Sequence, residues 1–157
     1  MNEGALRLSR HSLRRNHLVA VKREFGQLTG DLMQIREFMS TNVKMCVPES
    51  SCAKAGEIMR RHQRGFLSIV DSLKTRRVIG MVTDRDIMLH LVHRNLPASE
   101  VAVKACMTGV PPMISPEADL EVAIRVMKKE AVDRLPVIDQ GRLVGGALVT
   151  GYCVGDP

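Results

Sequence analysis

From residue 35 to about residue 150 the apolar positions follow two alternating rhythms, one of helical period and one of strand length. In the first half, Cys52, Ala55, Ile58 and Met59 fall on one helix face. Phe66 to Val70 and Arg77 to Val82 are short apolar runs that predict strands, and Arg85 to Arg94 predicts a closing helix. Asn95-Leu96-Pro97-Ala98-Ser99 punctuates the halves, with Pro97 expected to stop the helix. In the second half, Leu120, Ala123, Ile124, Met127 and Ala131 have helical spacing. Arg134 to Ile138 then predicts a strand, Gln140-Gly141 a tight turn, and Arg142 to Val149 a second strand. The fold class is α/β.

The two halves are copies. Ile35-Arg36-Glu37-Phe38-Met39-Ser40 parallels Val103-Lys104-Ala105-Cys106-Met107-Thr108, and Pro48-Glu49 parallels Pro116-Glu117. At the same offset Ala55, Ile58 and Met59 match Ala123, Val126 and Met127, and Leu67, Ile69, Val70 and Asp71 match Leu135, Val137, Ile138 and Asp139. After a loop that is longer in the first copy, Gly80 matches Gly145. A shift confined to a loop is what a structural repeat tolerates. Each copy reads β-α-β-β-α in part, and neither has core enough to stand alone, so the two are expected to pack sheet to sheet. The expected organisation is a basic helical extension at 1–33, a first repeat at 34–96 and a second at 97–157 whose closing helix is short or missing.

Val78 to Ile87 carries the candidate chemistry. A strand, Val78-Ile79-Gly80-Met81-Val82, ends in a turn where Thr83 or Asp84 can cap the next helix. Arg85 and Asp86 then sit in the first helical turn, where free N–H groups and the helix dipole favour an anion. A hydroxyl, a carboxylate and a cation at one helix start suit a ribose diol and a phosphate. The same residues also describe an ordinary capped helix with a surface Asp/Arg pair.

Composition narrows the classes. The chain has 157 residues and a net charge of +6, which favours anionic partners without naming one. Aromatics make up 3%, so stacking platforms for bases are scarce. Cys46, Cys52, Cys106 and Cys153 show no metal-binding spacing and read as reduced, mostly buried thiols of a cytoplasmic protein. No apolar run is long enough to span a membrane. His11, His17, His62, His90 and His93 have no recognisable nucleophile beside them, and no glycine-rich phosphate loop is present, so neither an enzyme nor a metal site is expected. In the N-terminal segment Leu18, Val21, Phe25, Leu28, Leu32 and Ile35 form one helical stripe among many arginines. A helix packed on the following domain, a basic nucleic-acid arm and an organelle presequence all fit that pattern.

The repeat, its Met-Ser/Thr openings and Pro-Glu helix starts, Arg134-Leu135-Pro136-Val137-Ile138-Asp139 and the Gly80 to Ile87 stretch together resemble a tandem pair of CBS domains, the Bateman module. The resemblance covers about residues 35 to 150 and is closest to stand-alone prokaryotic CBS-pair proteins. It implies a regulatory, energy-sensing module that requires no cofactor and binds an adenosine compound: AMP, ADP, ATP, S-adenosylmethionine or NADH. The family's ribose motif maps onto Thr83 and Asp86, with Asp84 beside them and Arg85 facing phosphate. The other repeat is implied to supply Gly109, Val110 and Ile114 as adenine walls, Val132, and Arg134 beside Pro136 for phosphate. A homodimer through the helices is also implied, with Ile87, Leu89, Leu91 and Val92 offered by the closing helix, and an unidentified protein target is possible. The second copy has neither Thr nor Asp at the positions of Thr83 and Asp86, so its site is expected to be weak or empty. The readings that compete are a nucleic-acid-binding protein led by the basic N-terminus, and a structural dimer without ligand.

Overall fold

The computed structural model describes residues 33–148. Apart from Ile35, the stripe expected in the N-terminal extension lies outside the described residues, as does Cys153 near the other end. Among the described residues five strands and three α-helices run in the order β1 (Met45–Cys46), α1 (Cys52–His62), β2 (Phe66–Val70), β3 (Val78–Thr83), α2 (Asp84–Arg94), α3 (Leu120–Lys129), β4 (Arg134–Asp139) and β5 (Arg142–Leu148). β1 pairs parallel with β2, and β2 pairs antiparallel with β3. β4 and β5 form an antiparallel hairpin, and Ile114 bridges Val137 in parallel, the counterpart of β1 on β2.

Local chemistry sets the boundaries. Ser51 caps α1 by accepting from the Lys54 N–H at 3.2 Å. α1 and α2 end on Gln63 and Asn95, both left-handed at φ 51° and 50°. Pro97 therefore does not stop α2. Asn95 does so two residues earlier, its N–H bonding the carbonyls of Leu91 and Val92. Ala131, expected on the second helix, lies beyond its end at Lys129 and turns the chain at φ 52°. Gln140 and Gly141, at φ 47° and 77°, give the β4–β5 turn the two positive φ values that match the twist of a hairpin.

The openings of the two repeats are exchanged. The 3-10 turn Ile35–Glu37 belongs by sequence to the first copy, yet the Ile35 N–H bonds the Ala118 carbonyl at 2.9 Å and the Ser40 N–H bonds the Gly146 carbonyl at 3.0 Å. Reciprocally, the Val103 N–H bonds the Ser50 carbonyl at 2.8 Å and the Thr108 N–H bonds the Met81 carbonyl at 2.8 Å. Packing follows the hydrogen bonds. Val103 is buried among Cys52, Ala55, Met59, Leu67 and Val82, while Ile35 is buried among Ala123, Met127, Leu135 and Val137. Burial of each such side chain contributes about 1.5–3 kcal/mol, so each repeat completes the other's core. A third cluster, Val70, Val78 and Leu143, joins the sheets, with the Leu143 N–H on the Arg76 carbonyl at 2.9 Å.

The thiols follow the same exchange. Cys46 and Cys52 are buried and Cys106 is half-buried, with the Cys52 and Cys106 thiols hydrogen-bonded at 3.7 Å and not joined in a disulfide. Burial, reinforced by the neighbouring Cys52, pushes the Cys46 thiol up to about 11 and the Cys106 thiol up to about 12. These are unreactive core thiols.

Candidate functional site

The turn after β3 is built as a reciprocal cap. The Thr83 hydroxyl oxygen accepts from the Asp86 N–H at 3.1 Å, and Asp86 Oδ2 accepts from the Thr83 N–H at 2.9 Å and its hydroxyl at 2.6 Å. Two otherwise unpaired helix N–H groups are thereby satisfied. Asp84 is fixed separately: its N–H bonds the Gly65 carbonyl at 2.9 Å, and its Oδ1 accepts from the Arg85 N–H at 2.7 Å. Gly65 is closely apposed, since a Cβ there would lie 3.1 Å from Asp84 Oδ2.

This turn faces the start of β4 across a cleft of about 510 Å³, within the usual range for small-molecule sites. Thr83, Asp84 and Arg85 line it from the first repeat, and Val132, Arg134 and Pro136 line it from the second. Gly109, Val110 and Ile114 are not among its lining residues. The two backbone bonds between Thr108 and Met81 pin the chain on β3. Gly109 and Val110 then face solvent, Pro111 reaches the cleft, and Ile114 is drawn into the second core by its bridge to Val137. Asp86 is also absent from the lining. It borders a shallow depression with His90, His93 and Cys106.

Residues that sequence reasoning missed complete the cleft: Phe66, Ser68, Pro111 and Asp133. Asp133 grips Arg134 with two bonds of 2.6 Å, from Nε to Oδ1 and from Nη2 to Oδ2. This grip holds the Asp133 carboxyl below, and the Arg134 guanidinium above, their ordinary ranges. The guanidinium also lies over the Phe66 ring, 4.4 Å from its centroid. Ser68, by contrast, is 3% exposed and its hydroxyl has no hydrogen-bond partner among the described residues. A buried hydroxyl left without a partner costs about 1–3 kcal/mol. The sequence did hold one signal for this group. By the repeat, Phe66 and Ser68 are the counterparts of Arg134 and Pro136, and a pseudo-twofold axis brings counterparts near it face to face.

The comparisons agree with the fold. The CBS domain family model matches residues 35–93 and again 99–146. The chain is 30% identical over 118 residues to the CBS domain-containing protein YhcV of Bacillus subtilis, covering 73% of this chain and 79% of that one. Among solved structures it resembles CBSX2 in complex with AMP, at 23% identity and a TM-score of 0.62, covering 74% of this chain and 90% of that one. It also resembles the CBS domain pair of protein MJ0100 in complex with 5′-methylthioadenosine and S-adenosyl-L-methionine, at 20% identity and a TM-score of 0.64, covering 75% and 90%.

Proposed function

The chain belongs to the CBS-domain family and carries the domain twice, and on that premise we propose that it is a regulatory module, not an enzyme, that binds an adenosine-containing ligand between its repeats. The observation that carries this reading is the cleft assembled from both copies, with Thr83 and Arg85 on one wall and Arg134 on the other. Thr83 reads the ribose and is held in position by Asp86, whose Oδ2 accepts from both the Thr83 N–H and its hydroxyl. Arg85 and Arg134 face the phosphate, where guanidinium groups give strong directed bonds. Two solved relatives hold ligands of this class, AMP in one and S-adenosyl-L-methionine in the other, which supports the class without selecting the ligand.

The test is a calorimetric and thermal-shift panel of AMP, ADP, ATP, S-adenosylmethionine and NADH. A ligand at a hundred times its dissociation constant raises stability by about 2.7 kcal/mol. One member of the panel is expected to bind at one site per chain, and a blank across the panel overturns the reading. A nucleic-acid role led by the basic segment 1–33 draws on residues outside the described range.

Association is proposed through the outer face of α2. Of the four apolar residues that the helix offers on more than one face, Ile87 and Leu91 turn inward to the first core, while Leu89 and Val92 remain exposed together with Met88, Val92 at 74%. These three form the proposed homodimer contact. Light scattering of the native chain and of Val92→Glu is expected to show a dimer and a monomer.

A further inference from the structure

On the other side of the Phe66–Arg134 pair lies a second cleft, of about 680 Å³, which Phe66, Ser68, Arg134 and Pro136 also line. It is the first cleft's counterpart under the repeat, but its chemistry differs. Where the first has Ala131 and Val132, this one has Gln63 and Arg64, and where Pro112 stands in the second repeat, Lys44 stands in the first. Lys44 comes from the segment before β1, and His62 and Arg64 from the end of α1 and the turn that follows it, so two separate pieces of chain converge. No carboxylate is among the described residues that line the cleft. Neither Lys44 nor Arg64 forms an ion pair among the described residues; Arg64 Nη2 reaches only the Asn42 carbonyl at 3.5 Å.

Two further observations point to an anion. The His62 imidazole is held below its ordinary range by desolvation and then by Lys44, Arg61 and Arg64, the mark of a positive field across this wall. The Ser68 hydroxyl, more than nine-tenths buried and without a partner among the described residues, supplies a donor in the cleft's lining. The ribose-reading pair is missing from the second copy, because in the repeat register Leu148 stands at the position of Thr83 and Gly151 at that of Asp86. We propose that this second cleft binds an oligophosphate group, held by Lys44, Arg64 and Ser68, and does not recognise a nucleoside. The group has two possible sources, a free inorganic oligophosphate or the phosphate tail of a nucleotide seated in the first cleft and reaching past Arg134.

Calorimetry on the full chain at fixed ionic strength separates them, with tripolyphosphate, ATP and AMP as probes. The double variant Lys44→Ala/Arg64→Ala is compared with Lys74→Ala/Lys104→Ala, which removes the same charge from exposed positions elsewhere. Saturable tripolyphosphate binding that weakens about tenfold or more in the cleft variant alone establishes a free oligophosphate as ligand. Loss of ATP affinity in that variant, with AMP unchanged and no binding of tripolyphosphate by itself, establishes the nucleotide tail. The proposal is overturned if neither probe changes between native chain and cleft variant, or if the control variant loses as much. Lys44 and Arg64 are only partly buried, and a melting curve for each variant confirms that it folds. Because the tripolyphosphate arm uses no nucleoside, its outcome stands apart from that of the first cleft.

Discussion

Phe66 and Arg134 occupy the same position in the two repeats and stack on one another, guanidinium over ring at 4.4 Å. Each lines both clefts, so this pair is the partition between them. Asp133 holds the guanidinium in place from one side, and that ion pair competes with any phosphate for the same donors.

From this competition comes a pair of opposite effects. Arg134→Ala is expected to weaken AMP about ten- to a hundredfold, the loss of a charge-assisted contact of about 1.5–3 kcal/mol, and to leave adenosine nearly unchanged. Asp133→Asn releases the guanidinium and is expected to strengthen AMP by up to about 1 kcal/mol, since a half-exposed ion pair is worth no more. Titrating both ligands into both variants checks this. Equal losses for AMP and adenosine in Arg134→Ala would show that the phosphate lies elsewhere.

Asp86 has a structural duty that its ligand role must share. Its carboxylate closes the cap of α2, so Asp86→Ala is expected to lower the stability of the free protein by about 0.5–2 kcal/mol before any ligand is added. Denaturant unfolding of the free chain measures this. Full retention of stability would mean that the cap contributes nothing.

For Ser68 the two properties are expected to part company. Ser68→Ala removes a buried hydroxyl that has no partner among the described residues, so the free protein should be as stable as the native chain or more so, by about 1 kcal/mol at most. Affinity for a ligand that uses the hydroxyl should fall. Melting temperature and titration on one preparation read both, and a clear drop in melting temperature would show the hydroxyl to be bonded within the fold.

Gly80 marks a close approach between the repeats. A Cβ there would lie 2.6 Å from the Thr108 carbonyl oxygen, a backbone atom that accepts from the Met81 N–H while the Thr108 N–H bonds the Met81 carbonyl. Gly80→Ala is therefore expected to destabilise by about 1–3 kcal/mol, as overpacking does. Gly56, inside α1 with nothing within 4 Å of its would-be Cβ, is the control. Gly56→Ala should stabilise by about 1 kcal/mol, the difference in helix propensity. Opposite shifts in chemical unfolding are the expected result, and shifts of the same sign would refute the crossing geometry.

The sequence by itself determined the elements and their duplication. Helix faces, strand runs and the Gln140-Gly141 turn depend on side-chain spacing and on φ/ψ preferences a few residues apart, and such preferences are local. It also carried the capping pattern of Thr83 and Asp86, which is local too. Only the tertiary structure decided which core each opening segment enters. Ile35 and Val103 are equally apolar and equally suited to either repeat, and hydrogen bonds across long stretches of chain, from Ile35 to Ala118 and from Val103 to Ser50, settle the choice. The same long-range pairing turns Gly109 and Val110 outward, buries Ile114, and sets Phe66 against Arg134. No spacing along the chain encodes that last meeting, because it arises from an axis between the repeats, and an axis exists only once both have packed.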